Sequence, residues 1–312
     1  MHDRSRFPKS ILITGATGYI GSQLIRHLID SDFGKHSQLF AVVRPGKTTG
    51  FPISHCHWDL QTPLPEIEFP QQVDAIIHLA AVRERSDDSM SRISQHIRIN
   101  VDAASRLYAW GQHHGVRRII HMSSASVYAL GSNTNELLNE SSPLVMPPAH
   151  PYALTKRWAD ELAEQFRTVI PSICVLRPTQ VYGPHLDSQS NFMQIIKQIR
   201  HQEPFTIPAP DGHYVCPVYI QDLLNVIMHL LQTTSNRTVV LQGPEVINTR
   251  EILTSIADRL GVHAIINSDT SQKPQVLAFS SSTASELGAN QPTTSWKNGM
   301  VQMLSPTGQQ DE

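Results

Sequence analysis

One short segment constrains this chain more than any other. The apolar run Ser10 to Thr14 leads directly into Thr14-Gly15-Ala16-Thr17-Gly18-Tyr19-Ile20-Gly21, and Ile20, Leu24, Ile25 and Leu28 then recur at helical spacing. A buried strand, a glycine turn and an amphipathic helix follow one another without a linker. In that context Gly15 permits the tight turn out of the strand. Gly18 lets backbone amides approach a pyrophosphate, and Gly21 lets the helix pack closely on the sheet. The helix start offers free N–H groups and a positive dipole end to phosphates, so Thr17, Tyr19 and Ile20 join the three glycines as candidate dinucleotide-binding residues.

The same rhythm continues. Leu39 to Val43, Ala75 to Leu79 behind Asp74, Arg118 to Met122 and Ile173 to Leu176 read as strands. Helical patterns cover Ile99 to Trp110 and a longer stretch from Tyr152, where Trp158, Leu162, Phe166 and Val169 form one apolar stripe. Strands alternating with helices imply right-handed βαβ units, hence an α/β fold with a Rossmann-type doubly wound parallel sheet. Its ligand crevice lies at the carboxyl ends of the strands. After Arg177 prolines cluster at 204, 208, 210 and 217 and strands thin out. The expected organisation is a dinucleotide-binding domain over 1–177 and a smaller substrate-binding lobe over 178–312, with 238–242 returning as a late strand of the main sheet. The polar tail from Ser305 is expected to fray.

Composition removes other classes. The 312 residues are 40% hydrophobic and 17% charged, with a net charge of −2. A disordered chain is excluded, and there is no basic excess to neutralise nucleic acid. No run approaches the ~18 apolar residues of a membrane span, and Met1 to Arg6 lacks the apolar core of a signal peptide. Cys56, Cys174 and Cys216 are too few and scattered for a disulfide framework. A soluble, cytoplasmic protein with no membrane or nucleic-acid partner is expected. His55-Cys56-His57 is the one cluster that sets histidine beside cysteine, and with no second ligand pair it reads as a strand edge rather than a metal site.

The second strand ends at Arg44-Pro45-Gly46-Lys47, where an acidic residue would bind an adenosine 2′-hydroxyl. A guanidinium there suits a 2′-phosphate, which favours NADP(H) and leaves NAD(H) open. Asp59 and Leu60 are candidates for the adenine edge. Tyr152 and Lys156 stand four apart, on one helical face. A phenol of pKa near 10 needs a neighbouring ammonium to work as an acid or base at neutral pH. Ser123-Ser124-Ala125-Ser126-Val127-Tyr128 follows a buried strand, so its hydroxyls face the crevice and can polarise a carbonyl.

TGATGYIG, HLAA at 78–81, SSASVY at 123–128, PYALTK at 151–156 and LRPTQVYGP at 176–184 together resemble the extended short-chain dehydrogenase/reductase superfamily. More narrowly they resemble its NAD-dependent epimerase/dehydratase family. That resemblance implies hydride transfer at a secondary alcohol or ketone carbon of a small molecule, such as a nucleotide-linked or 4-keto sugar. It assigns Ser124 as the catalytic hydroxyl, Tyr152 as acid/base and Lys156 as its partner, the last two also holding the cofactor. It assigns Leu79, Ala80, Ala81, Asn100, Pro178 and Val181 to cofactor binding. It makes Asp222 of Val218–Asp222 a structural residue. A homodimer through a four-helix bundle, formed by the helix around 99–113 and the one from Tyr152, is implied by resemblance alone.

Two departures narrow the chemistry. Dehydratases of the family carry an acidic pair after the catalytic serine or threonine; here it is Ala125-Ser126, which argues against water elimination. Many nucleotide-sugar epimerases carry an Arg-Asp pair where this chain has Val215-Cys216-Pro217, so the diphosphate clamp is missing. Arg83, Ser126, Gln180 and Asn191 remain as substrate candidates, with Arg85, His185 and Tyr214 behind them. A reductase releasing NADP(H) each turnover is slightly favoured over an epimerase retaining its cofactor. A non-catalytic NADP(H)-binding sensor or scaffold is the reading from another class.

Overall fold

The computed structural model describes residues 7–82, 92–130, 137–234, 236–280 and 291–305. The chain forms two compact units. The first comprises Met1–Val127, Pro143–Arg177 and Leu224–Val239; the second comprises Tyr128–Ser142, Pro178–Leu223 and Val240–Glu312. The division is discontinuous along the chain.

The first unit is organised by strands β1 (Ser10–Thr14), β2 (Gln38–Val43), β3 (Ser54–His57), β4 (Ala75–His78), β5 (Arg118–Met122) and β6 (Ser172–Pro178). Helices α1 (Tyr19–Asp30), α2 (Asp32–His36), α3 (Ile93–His96), α4 (Ala103–His113) and α5 (Pro151–Phe166) alternate with them. Pairing is parallel from β3 through β2, β1, β4 and β5 to β6. A late strand, Thr238–Leu241, lies beside β6, so the sheet has seven strands. Strand order reverses about β1, which opens a crevice beyond its carboxyl end. Both faces of β1, β4 and β6 are buried, which is why they read as continuous apolar runs rather than alternating ones. Leu12, Ile76, Leu107, Tyr108, Ile119 and Ile173 anchor the core on one side of the sheet. His55-Cys56-His57 lies on β3, at the sheet edge. Among the described residues no three potential ligands gather around a metal position.

Two helical expectations are corrected. The stretch from Ile99 is not a regular α-helix: a six-residue π-helical segment, Ile97–Asp102, separates α3 from α4. The inward face of α5 is Ala153, Leu154, Thr155, Lys156, Ala159, Asp160 and Ala163. Trp158, Leu162 and Phe166 are half-buried at its flank, and Val169, beyond the helix, is 50% exposed. Alanines bring the helix axis close to the sheet. The two buried charges are tolerated because each has a polar partner.

The second unit is assembled from short pieces. After β7 (Val181–Tyr182) come α6 (Asn191–Arg200), β8 (Phe205–Pro208), β9 (Tyr214–Val215), β10 (Val218–Tyr219) and α7 (Ile220–Leu230), whose last residues join the first unit. Beyond β11 (Thr238–Leu241) follow β12 (Ile247–Asn248), α8 (Thr249–Leu260), β13 (Ile266–Asp269), β14 (Val276–Leu277) and α9 (Trp296–Met303). Among the described residues these strands pair as β10-β7, β12-β9-β14 and β13-β8. Tyr182, Phe192, Tyr219 and Trp296 form an aromatic cluster with ring centroids 4.9–5.7 Å apart. A capping box on Asn248 and Glu251 starts α8, and Gly261 in the left-handed region ends it. No helix among the described residues is long and apolar enough to cross a membrane.

Candidate active site

The glycine turn is a cradle kept clear of side chains. Gly15 has φ 69°, and a Cβ there would stand 2.8 Å from the Ala80 amide. A Cβ on Gly21 would collide with the Gly15 carbonyl. Gly18 caps α1 without any side-chain hydrogen bond, so the first amides of the helix keep their capacity for an outside acceptor. Thr14 ties this turn to β4: its hydroxyl accepts from the Ala80 amide at 3.2 Å and pairs with His78 Nδ1 at 2.7 Å. Leu79, Ala80 and Ala81 therefore leave β4 alongside the turn. These features fit a dinucleotide pyrophosphate.

Arg44 follows β2 directly and is exposed, as are Pro45, Gly46 and Lys47. Asp59 follows β3, and its carboxylate accepts from the Gln61 amide at 3.0 Å, forming a local turn. Leu60 packs against the core. The π segment aims Asn100 inward, where it is buried. Its side-chain oxygen accepts from the Val82 amide at 2.8 Å, and its amide nitrogen donates to Thr155 Oγ1 at 3.0 Å. One side chain thus joins the segment after β4 to the helix that carries Tyr152 and Lys156.

Pro151 occupies the first turn of α5, and the His150 ring accepts from the Tyr152 amide at 3.3 Å. Tyr152 therefore stands in the first turn of α5. Lys156, one turn on, is buried and donates to the Met122 carbonyl at 2.5 Å. That carbonyl closes β5, immediately before Ser123 and Ser124. Burial lowers the ammonium pKa to about 8, with the nearby Asp160 carboxylate opposing the shift. The 3-10 turn Ala125–Val127 packs against α5. Ser124 Oγ accepts from the Ser126 hydroxyl at 2.9 Å and from its amide at 3.2 Å, which leaves the Ser124 proton free to donate elsewhere. Ala125 is buried, and neither it nor Ser126 supplies a carboxylate.

The remaining candidates belong to the second unit or lie outside the description. Pro178 ends β6, and Val181 opens β7. Gln180 is exposed, and its carbonyl accepts from the Val218 amide. Asn191 is the exposed first residue of α6, capped by Ser190. His185 sits at φ 60°. Val215 lies in β9, and the buried Cys216 offers its carbonyl to the Thr179 hydroxyl, so this segment presents no cation. Asp222 is buried and accepts from the Thr294 amide at 3.0 Å. Arg83 and Arg85 lie outside the described residues.

Sequence reasoning missed the polar layer behind Lys156. Asp160 accepts from Arg177 Nε at 2.8 Å and stands 3.5 Å from His121 Nε2. His121 Nδ1 meets the Tyr108 hydroxyl at 2.5 Å, and the His121 and His78 rings stack at 5.6 Å. The available signal was an acidic residue one turn beyond Lys156 on its own face.

The family model described as NAD dependent epimerase/dehydratase matches residues 11–248. An uncharacterized UDP-glucose epimerase of Bacillus subtilis is 28% identical over 95% of this chain and 96% of its own length. A UDP-glucose 4-epimerase of Vibrio cholerae is 23% identical over 81% of this chain and 76% of its own. The crystal structure of UDP-glucuronic acid 4-epimerase from Bacillus cereus, in complex with UDP-glucuronic acid and NAD, superposes with a TM-score of 0.78 at 23% identity. It covers 94% of this chain and 97% of that one, which establishes a shared fold.

Proposed function

The chain belongs to the NAD dependent epimerase/dehydratase family, and from that premise we propose that it inverts a secondary-alcohol carbon of a nucleotide-linked sugar. The observation that carries this reading is the Tyr152–Lys156 pair on one buried helix face, with the ammonium fixed on the Met122 carbonyl beside Ser124. The relatives named above act on UDP-sugars, and the Ala125-Ser126 segment supplies no acid for dehydration.

The first unit carries most of the dinucleotide-binding candidates. Its glycine turn, with Thr17, Tyr19 and Ile20, would hold the pyrophosphate. Arg44, Asp59 and Leu60 would border the adenosine, and Leu79, Ala80, Ala81, Asn100, Pro178 and Val181 the remainder. The bound nicotinamide supplies the hydride acceptor and donor. Tyr152 as phenolate takes the hydroxyl proton as the carbon is oxidised, and returns it when the keto sugar is reduced on its other face. Lys156 remains an ammonium that steadies the phenolate. Ser124 donates to the carbonyl oxygen, and Ser126 fixes the Ser124 rotor. Gln180, Asn191 and Arg83 are the substrate-side candidates of this reading. The chain works as a soluble cytoplasmic protein, a compartment in keeping with its three buried free cysteines. It pairs as a homodimer through α4 and α5.

The test is incubation of the purified protein with UDP-glucose and with UDP-glucuronic acid, followed by NMR of the sugar. The expected result is a mixture of 4-epimers with no net change in nucleotide redox state. Stoichiometric NADPH consumption with a keto sugar would instead establish a reductase. Arg44, unaccompanied by any acidic residue through Lys47, favours that second reading and NADP(H) over NAD(H). A titration with at least ~10-fold tighter NADH than NADPH would remove it.

A further inference from the structure

A connected set of ionisable groups lies behind Lys156, each from a different element. Asp160 is on α5, Arg177 on β6, His121 on β5, His78 on β4 and Tyr108 on α4, and all are buried. Burial pushes the Tyr108 phenol far up, so it keeps its proton, and its hydroxyl pairs with His121 Nδ1 at 2.5 Å. Burial also lowers His121, whose Nε2 stands 3.5 Å from Asp160 Oδ1. Burial alone would raise the Asp160 carboxyl. The Arg177 guanidinium, which donates to it, and the nearby His121 ring hold it below its usual value. The result is one fixed carboxylate in a site with little water, one helical turn from the Lys156 ammonium. His78 is lowered by burial and by the neighbouring His121 and Lys156, so it adds no charge.

We propose that Asp160, held by Arg177 and by the Tyr108–His121 chain, is a positioning residue that keeps Lys156 protonated and thereby tunes Tyr152. An ammonium buried against a carbonyl alone would give up its proton, and a neutral amine cannot steady a phenolate. Asp160 is the acidic group of this layer that opposes that loss. It reaches the chemistry only through Lys156, so its effect shows in pH dependence rather than in substrate affinity. The inference rests on the Tyr152–Lys156 assignment and not on the identity of the sugar.

The experiment follows Tyr152 ionisation by near-ultraviolet phenolate absorbance in the full chain, subtracting Tyr152→Phe from the parent. In Asp160→Asn the Tyr152 midpoint should rise by about one pH unit, while dinucleotide binding and far-ultraviolet circular dichroism stay unchanged. Asp160→Glu should restore the midpoint. Because Asp160→Asn leaves Arg177 buried without its carboxylate, Asp160→Asn/Arg177→Met is measured beside it, with the same rise expected. His121→Gln should move the midpoint in the same direction by a smaller step. Folded variants with an unmoved midpoint would make Asp160 a purely structural ion-pair partner and overturn the proposal. No parent-minus-Phe phenolate signal at any pH would instead overturn the acid/base role of Tyr152 itself.

Discussion

The two units solve opposite problems. The first buries long strands on both faces and still keeps Lys156, Asp160, Arg177, His78 and His121 inside, each tied to a neighbour. Among its described residues the second has no sheet wider than three strands and relies on backbone ties made by side chains, such as Gln242, which exchanges two hydrogen bonds with the Phe279 backbone. A wide parallel sheet fixes strand ends within fractions of an ångström, and hydride chemistry needs that. Short strands and loops can be exchanged with less cost to the core, which suits the substrate-side role proposed for the second unit. Chemistry is therefore expected to fail in the first unit and selectivity to shift in the second.

The largest effect should come from Tyr152→Phe, which lowers turnover by about 10²–10⁴-fold with dinucleotide affinity nearly unchanged in equilibrium titration. An unaltered rate would end the assignment. Next is Ile76→Ala, which opens the packed sheet and should cost about 2–5 kcal/mol in urea unfolding. Leu277→Ala, on a half-buried two-residue strand of the second unit, should cost less than half as much. Equal losses would break the contrast between the units.

Lys156 supplies a pH test of similar size. Its pKa falls from 10.5 to about 8 in the folded protein, which corresponds to about 3 kcal/mol. Between those values the unfolded chain holds the proton and the folded chain does not, so stability rises with pH through that window. Lys156→Met should remove that rise when unfolding curves of the two proteins are compared. Turnover should move the other way, declining above about pH 8 as the ammonium is lost. The smallest effect belongs to Arg44→Ala, which should weaken NADPH about 10-fold and leave NADH within about 2-fold.

Much of the first unit could be read from residues alone, because a glycine turn after a buried strand admits few structures. Strands β1, β2, β4, β5 and β6 announced themselves as apolar runs, Tyr152 and Lys156 stood out by spacing, and the family resemblance singled out Ser124 within its serine segment. The inward face of α5 did not. Counting apolar residues selects Trp158 and Leu162, whereas burial of Asp160 depends on Arg177, 17 residues away, and on His121 from another strand. The π segment was equally hidden, since a 3.6-residue period is assumed by the counting itself. The second unit offers short strands whose pairing depends on distant partners, such as β9 with β12 and β14.

The π segment has a consequence for how this chain can vary. One π turn accommodates a residue more than an α turn does, and the surplus is what brings the Asn100 amide round to Val82 and Thr155. Deleting a single position between Ile97 and Asp102 would restore a regular helix and swing that amide by about 100°. The bond from β4 to α5 would then be severed without any change at Tyr152 or Lys156. Length in this stretch is therefore as strictly specified as sequence, and a shortened homologue would have to recruit its amide from an adjacent position.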